Sequence, residues 1–141
     1  MIREATESDL EQLAAIENEA FPHSPWMPSD FIRFQCLVAE QESRIQGFLV
    51  SRQIAPETPG HPAEREILNL AVRSAFRRRG VAASLLRREM QKPGIFFLEV
   101  RASNIAAKAL YKKSGFRELG YRFNYYENPT ETAIVMTTRP L

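Results

Sequence analysis

The first twenty residues carry apolar side chains at spacings of three and four, a pattern that predicts an amphipathic helix. Its apolar face consists of Leu10, Leu13, Ile16 and Ala20. Thr6 and Asp9 stand three residues apart just before this face and are typical of a capping box. The helix should end at the Phe-Pro pair of residues 21–22, and a loop rich in proline and aromatic residues should follow to residue 28. A short second helix is expected over residues 29–35.

Alternation and runs of apolar residues predict six strands farther along the chain. These strands span residues 37–40, 44–54, 66–72, 95–100, 116–125 and 132–138. The polar turn at residues 41–43 joins the first two as a hairpin, and the proline-rich residues 55–63 should form a surface loop. Residues 95–100 are almost all apolar, which is typical of a central strand covered on both faces.

Two further helices separate the later strands, so the central order is strand-helix-strand-helix-strand. The first should run over residues 80–91, with a buried face formed by Ala82, Leu85, Leu86 and Met90. Asn104 can cap the second, which should extend to about Lys113 before Ser114-Gly115 closes it. This order predicts an α/β fold, a mixed sheet flanked by helices, in one domain over residues 1–141.

Composition and charge narrow the class of protein. A length of 141 residues with 44% hydrophobic content suits one compact domain. The 19 basic and 17 acidic side chains leave a net charge of +2, so we expect no general affinity for nucleic acid or for membranes. No apolar run approaches the roughly 20 residues of a membrane span. The first four residues do not resemble a signal peptide, and we therefore expect a cytoplasmic protein.

Cysteine and histidine usage argues against a metal site. The single cysteine, Cys36, excludes an internal disulfide and a zinc site of several cysteines, and its apolar sequence surroundings favour a buried structural thiol. His23 and His61 lie in proline-rich segments without the spacing of metal ligands. We expect both histidines to face solvent and no metal to be bound.

Three successive arginines, Arg77, Arg78 and Arg79, precede Gly80 between a predicted strand and a predicted helix. A glycine at the mouth of a helix lets main-chain N–H groups approach a phosphate, and the helix N-terminus adds partial positive charge. The segment lacks the glycine spacing of nucleoside triphosphatase loops and of dinucleotide fingerprints, so a coenzyme A pyrophosphate fits it better. The alternative is an ordinary helix start beside a solvated basic run.

Two side chains beyond this turn could perform acid-base chemistry. Glu99 stands in an apolar run, and burial raises the pKa of a carboxyl group until it becomes a competent base near neutral pH. The alternative is a glutamate at a strand end that pairs with Arg101 or Arg117. Tyr111, near the end of the helix that follows Asn104, either packs in the core or supplies a phenol that protonates a leaving thiolate.

The spacing Arg-x-x-Gly-x-Ala, preceded at a fixed distance by Val72, resembles the acyl-CoA signature of the GNAT superfamily of N-acetyltransferases. A longer motif narrows the resemblance to ribosomal-protein-alanine N-acetyltransferases of the RimI type: Leu98-Glu99-Val100-Arg101-Ala102-Ser103-Asn104. Further similar segments lie at residues 21–26, 109–111, 114–116, 124–126 and 133–136. The resemblance therefore extends over nearly the whole chain.

This resemblance implies acetyl-CoA as co-substrate and, as acceptor, the α-amine of a protein N-terminus, in a ribosomal protein that begins with alanine. Leu70, Ala71 and Val72 are expected along the pantetheine arm. The residues implied around the pyrophosphate are Arg77, Arg78, Arg79, Gly80, Val81, Ala82 and Ala83, and Asn104 should also contact the cofactor. Glu99 would be the general base, and Tyr111 would be the acid that protonates the coenzyme A thiolate.

The chain departs from the family pattern in three places. Arg77 stands where glutamine is usual, the helix after Gly80 ends early, and the loop at residues 55–63 is long. The last two leave the acceptor open, so one alternative is an acetyltransferase that acts on a lysine side chain or a small-molecule amine. Another is a non-catalytic module whose basic face binds RNA or the ribosome through Arg77, Arg78, Arg79, Arg87 and Arg88.

Overall fold

The computed structural model describes the whole chain, from Met1 to Leu141. The strands are β1 Ile2–Glu4, β2 Gln35–Gln41, β3 Arg44–Ala55, β4 Glu64–Val72, β5 Ile95–Arg101, β6 Arg117–Tyr126 and β7 Glu131–Thr137. The helices are α1 Leu10–Ala20, α2 Asp30–Arg33, α3 Val81–Glu89 and α4 Ile105–Lys113. Short 3-10 turns cover Glu7–Asp9 and Ser74–Phe76.

Hydrogen bonds arrange the strands in the order β1-β2-β3-β4-β5-β7-β6. β4 and β5 run parallel, with pairs from Glu64↔Ile95 to Ile67↔Leu98, as a strand-helix-strand connection requires. The pairs β1-β2, β2-β3, β5-β7 and β6-β7 are antiparallel. The mixed α/β fold that the order of elements predicts is therefore confirmed.

The chain forms two compact units. The first consists of Met1–Arg52 and Leu68–Lys92. Its core lies where α1 packs Leu13 and Ile16 among buried side chains of α2, β2 and β3. In this core the ring of Phe31 meets the edge of Phe48 at a centroid distance of 5.0 Å. Burial of each such side chain stabilises the fold by about 1.5 to 3 kcal/mol, which makes this cluster the main support of the unit.

The second unit consists of Gln53–Ile67 and Pro93–Leu141. Its apolar core is built on the pairing of β5 with β7, in which Leu98 lies opposite Met136 and Val100 opposite Ile134. All four side chains are buried. Because alternate residues of a strand point to opposite faces, this register leaves Glu99 on the other face of β5.

The ends of the elements differ from the sequence predictions in places. The second helix ends at Arg33, because Gln35 already pairs with Ser51 in the sheet. The helix α3 ends at Glu89, two residues before the predicted limit. Strand β1 was not predicted at all, since three residues are too few to display a period.

Two predictions about burial are also wrong. β5 is fully covered on one face and only partly on the other, because Phe96, Leu98 and Val100 are buried whereas its alternate residues are half-buried. In α3, Leu85 and Leu86 are buried as expected, but Ala82 and Met90 are half-buried. Glu89 is buried there instead, and it is tolerated because Ser51 Oγ donates to Oε2 at 2.7 Å and Lys92 Nζ donates to Oε1 at 2.9 Å.

Candidate active site

The arginine-glycine turn begins α3 with an unusual backbone. Arg78 and Gly80 both have positive φ angles, 63° and 79°, and Gly80 stands at the N-cap without a side chain to satisfy the helix. The first main-chain bond into the helix runs from Ser84 N–H to the Gly80 oxygen at 2.9 Å. The N–H groups of Val81, Ala82 and Ala83 precede it and have no acceptor within the helix, so they are available to an anion.

The arginines of the turn are exposed but two of them are oriented by neighbours in the same unit. Arg77 Nε donates to the Val72 oxygen at 3.1 Å, which ties the turn to the end of β4. The Arg79 guanidinium lies over the ring of Phe76, 5.8 Å from its centroid. Cationic groups and free N–H donors therefore surround the start of α3, as the motif predicts.

The last three residues of β4 before this segment are Leu70, Ala71 and Val72. Ala71 is buried and the other two are half-buried. A Cβ at Gly47 of β3 would lie only 2.8 Å from the Ala71 oxygen, so glycine is required there for β3 to approach β4. β3 therefore packs closely against this end of β4, while the contact of the three residues with a pantetheine arm stays a prediction.

Glu99 lies in the second unit with only 16% of its side chain exposed. The alternative prediction, in which Glu99 pairs with Arg101 or Arg117, is wrong. Arg101 pairs with Glu131 at 3.3 Å, whereas Arg117 Nε donates to the Arg139 oxygen at 2.9 Å. The cation beside Glu99 is Arg122 of β6, with Nε 3.4 Å from Oε1. The second oxygen, Oε2, is buried without a hydrogen-bond partner.

Two tyrosines of β6 complete the surroundings of Glu99, and sequence reasoning did not assign them a role. The rings of Tyr125 and Tyr126 meet edge to face at 5.1 Å. Burial raises the pKa of the Tyr125 hydroxyl, and the negative charge of Glu99 raises it further. The available signal was the family segment at residues 124–126, which contains both tyrosines.

Tyr111 lies in α4 of the same unit, and Asn104 is the N-cap residue of that helix. Tyr111 is 8% exposed, and its ring packs against Phe116 at a centroid distance of 5.7 Å. Burial raises the pKa of Tyr111 to about 12, so the phenol stays protonated across the physiological range. Asn104 Oδ1 accepts the Ala107 N–H at 3.1 Å, which confirms the predicted N-cap. A contact between Asn104 and a cofactor remains a prediction.

A buried carboxylate that the sequence analysis missed anchors the loop after α1. Glu17 is 3% exposed, and it accepts hydrogen bonds from Ser24 Oγ and, at 2.8 Å, from Asn69 Nδ2. Ser24 in turn accepts the Trp26 N–H at 3.1 Å. Burial raises the pKa of Glu17 despite these two donors. The residue escaped notice because a charged side chain in an amphipathic helix is normally assigned to its solvent face.

The remaining candidates carry no chemistry. Cys36 is buried as expected, and burial raises the pKa of its thiol to about 12, so the reactive thiolate is scarce. His23 and His61 are exposed, also as expected. No group of three histidine, cysteine or acidic side chains is arranged to hold a metal ion. None of the helices is long and apolar enough to span a bilayer.

Comparison with known proteins identifies the family of this chain. The family model described as "Acetyltransferase (GNAT) family" matches residues 7–116. The chain belongs to the GNAT family. The match includes the arginine-glycine turn, Glu99 and Tyr111, and it confirms the resemblance drawn from the sequence motifs. This GNAT protein is accordingly an N-acetyltransferase by class.

Individual relatives point to one branch of the GNAT family. The [ribosomal protein bS18]-alanine N-acetyltransferase of Salmonella typhimurium is 33% identical over 141 residues, covering 92% of this chain and 90% of the relative. The N-alpha-acetyltransferase RimI of Mycobacterium tuberculosis is 32% identical over 130 residues, covering 86% and 80%. The crystal structure of the ribosomal-protein-S18-alanine N-acetyltransferase from Escherichia coli has a TM-score of 0.81 and 30% identity, over 97% of this chain and 91% of that one.

Proposed function

We propose that this chain transfers the acetyl group of acetyl-CoA to the α-amine of a protein N-terminus in the cytoplasm, acting as a single domain. The acceptor we propose is a ribosomal protein that begins with alanine. The observation that carries the proposal is Glu99, a carboxylate with only 16% of its side chain exposed and with an Oε2 atom that has no hydrogen-bond partner. Relatives at 32–33% identity whose names specify α-amine or ribosomal alanine acetylation support the choice of acceptor.

The turn before α3 fits the pyrophosphate of coenzyme A. Its unpaired N–H groups, the left-handed backbone at Gly80 and the three arginines supply donors and positive charge without a metal. We assign Arg77, Arg78, Arg79, Gly80, Val81, Ala82 and Ala83 to the pyrophosphate. Leu70, Ala71 and Val72 are assigned to the pantetheine arm, and Asn104 to a further contact. When bound, acetyl-CoA supplies an acetyl thioester activated toward an amine.

In the proposed reaction Glu99 accepts a proton from the acceptor ammonium, so that the nitrogen lone pair can form the new bond to the acetyl carbon. Tyr111, whose phenol is protonated at neutral pH, donates its proton to the sulfur as the carbon–sulfur bond breaks. An N-terminal α-amine has a pKa near 8, whereas a lysine amine has one of about 10.4. A carboxylate base therefore removes the proton of an α-ammonium more easily than that of a lysine, which favours the α-amine as acceptor.

Peptide acetylation tests the proposal directly. The substrates are a peptide that begins with alanine and contains one lysine, and the same peptide with a blocked N-terminus. We expect acetyl transfer from acetyl-CoA to the first peptide alone, at its α-amine, and a loss of turnover by about a hundredfold or more in Glu99→Gln. Acetylation of the blocked peptide would identify a lysine acetyltransferase instead.

The same preparation separates the two remaining alternatives. A small-molecule acetyltransferase would acetylate simple amines while leaving both peptides unmodified. A non-catalytic basic module would bind RNA with a steep salt dependence and would not be stabilised by acetyl-CoA in a thermal-shift titration.

A further inference from the structure

The cation beside Glu99 has an unusual position for a structural ion pair. Arg122 Nε lies 3.4 Å from Oε1, and 58% of the arginine side chain is in solvent, whereas 16% of the glutamate is exposed. An ion pair with a solvated arginine is a weak interaction, because water screens it and the side chain loses freedom in making it. The partner of this nearly buried carboxylate is therefore easily released.

The ring of Tyr125 can hold the Arg122 guanidinium when it leaves Glu99. The guanidinium lies over this ring, 5.4 Å from the centroid, and a cation over an aromatic face is favourable. The backbone supports the same conclusion, since the regular register of β6 with β7 is interrupted after Arg122↔Ala133 and Asn124 has a φ of 53°. Bulges of this kind re-aim side chains beside functional sites.

Of the polar groups around Glu99, Tyr125 shares a side-chain hydrogen bond with it, whereas the other cation is committed elsewhere. Arg101 on the same strand pairs with Glu131 and donates to the oxygens of Glu127 and Pro129 at 2.8 and 2.9 Å. Tyr126 lies under the Arg101 guanidinium, and Glu66 of β4 acts electrostatically on Tyr125. Arg122 is thus the cation that neutralises Glu99 in the free protein.

We infer that Arg122 is the resident counter-ion of Glu99, and that the α-ammonium of the acceptor replaces it. The ammonium has the same charge and several N–H donors, so it can take the place of the guanidinium at Oε1, the oxygen that Arg122 contacts. Two cations at one carboxylate repel each other, so entry of the ammonium drives the guanidinium toward Tyr125 and solvent. Arg122 is then a positioning residue that a charged acceptor has to displace before it reaches Glu99. This inference rests on the proposed role of Glu99.

Calorimetric binding of two peptides, in the presence of coenzyme A, tests the exchange. One peptide begins with a free alanine and the other is its N-acetylated form, which carries no ammonium. In Arg122→Gln we expect the free peptide to bind about two- to fivefold more tightly, because no guanidinium has to be displaced. The acetylated peptide should bind as it does to the wild type, and Arg122→Lys should restore wild-type affinity for the free peptide.

Two controls make the result specific. Arg117→Gln removes the same charge from the same strand but does not touch Glu99, and it should leave both affinities unchanged. In a Glu99→Gln background, Arg122→Gln should have no effect, because the pair has already been broken. An equal change for both peptides, weaker binding of the free peptide, or an effect that persists in the Glu99→Gln background overturns the exchange. Binding of neither peptide by the wild type would instead refute the proposed acceptor, and the exchange with it.

Discussion

Replacement of Gly80 by alanine distinguishes an effect on the stability of the fold from an effect on the proposed anion site. Gly80 has a φ of 79°, a backbone conformation in which an L-residue costs about 1 to 2 kcal/mol. A Cβ built at this position meets no atom within 4 Å, so Gly80→Ala adds no clash to the protein itself. In the proposed site this methyl group would stand beside the N–H groups that begin α3, to which the pyrophosphate is assigned. Stability should therefore fall slightly, and acetyl-CoA affinity should fall much more.

Gly115 provides a matched control for that substitution. Its φ is 103°, a Cβ there also meets nothing within 4 Å, and it follows the end of α4 rather than preceding a helix. Gly115→Ala should cost the same 1 to 2 kcal/mol of unfolding free energy, or roughly 4 to 8 °C in Tm, without altering ligand binding.

Thermal unfolding of the two variants and calorimetric titration with acetyl-CoA give both quantities. We expect similar Tm values for the variants without ligand. For acetyl-CoA we expect Kd to rise about 10- to 100-fold in Gly80→Ala, the equivalent of one lost hydrogen bond to a charged group, and to stay unchanged in Gly115→Ala. Wild-type affinity in Gly80→Ala would refute the assignment of the pyrophosphate to this turn.

Three further predictions concern buried ionisable groups. Tyr111→Phe should lower kcat by about a hundredfold with little change in KM for acetyl-CoA, because the ring still packs on Phe116, and an unchanged kcat would reduce the tyrosine to packing. Burial raises the pKa of Glu17, so the protonated side chain favours the folded protein at low pH, and this contribution is lost as the pH rises through the raised pKa. Urea unfolding should therefore show Glu17→Gln gaining stability relative to the wild type as the pH rises from about 4 to 7. The Arg3 guanidinium holds the pKa of Asp9 below its usual value, so this contribution is present above the pKa of the unfolded chain and is lost on acidification. Urea unfolding should show the wild type losing more stability than Asp9→Asn as the pH falls below the pKa of an unfolded aspartate, and equal losses would contradict this role of the pair.

The sequence was sufficient where a pattern has a direct structural cause. The apolar spacing of α1, the cap at Asn104 and the glycine before α3 each follow from local geometry, and the structure has all three. Short or polar elements were beyond this reasoning. β1 is too short for a period, and Glu89 is buried only because Ser51 and Lys92, distant or unrecognised in sequence, satisfy its oxygens.

The candidate site shows the same division between local and distant information. Glu99 and Tyr111 could be named because their residue types and family motifs stand in single segments. The partner of Glu99 could not, because Arg122 comes from β6, and β6 reaches β5 only through its pairing with β7. The register of two strand pairs, one of them interrupted by a bulge, decides which arginine faces the carboxylate. That register depends on tertiary pairing and cannot be predicted from the sequence alone.

Mass spectrometry of N-terminal peptides tests whether this protein acetylates a protein N-terminus in the cell. Ribosomal proteins are compared between cells that contain this protein, cells that lack it, and cells that carry only the Glu99→Gln variant. We expect one N-terminus beginning with alanine to lose its acetyl group in the second and third strains and to regain it when the wild-type protein is restored. Unchanged N-terminal acetylation in all three strains, with a changed lysine or small-molecule acetylation, would contradict this expectation.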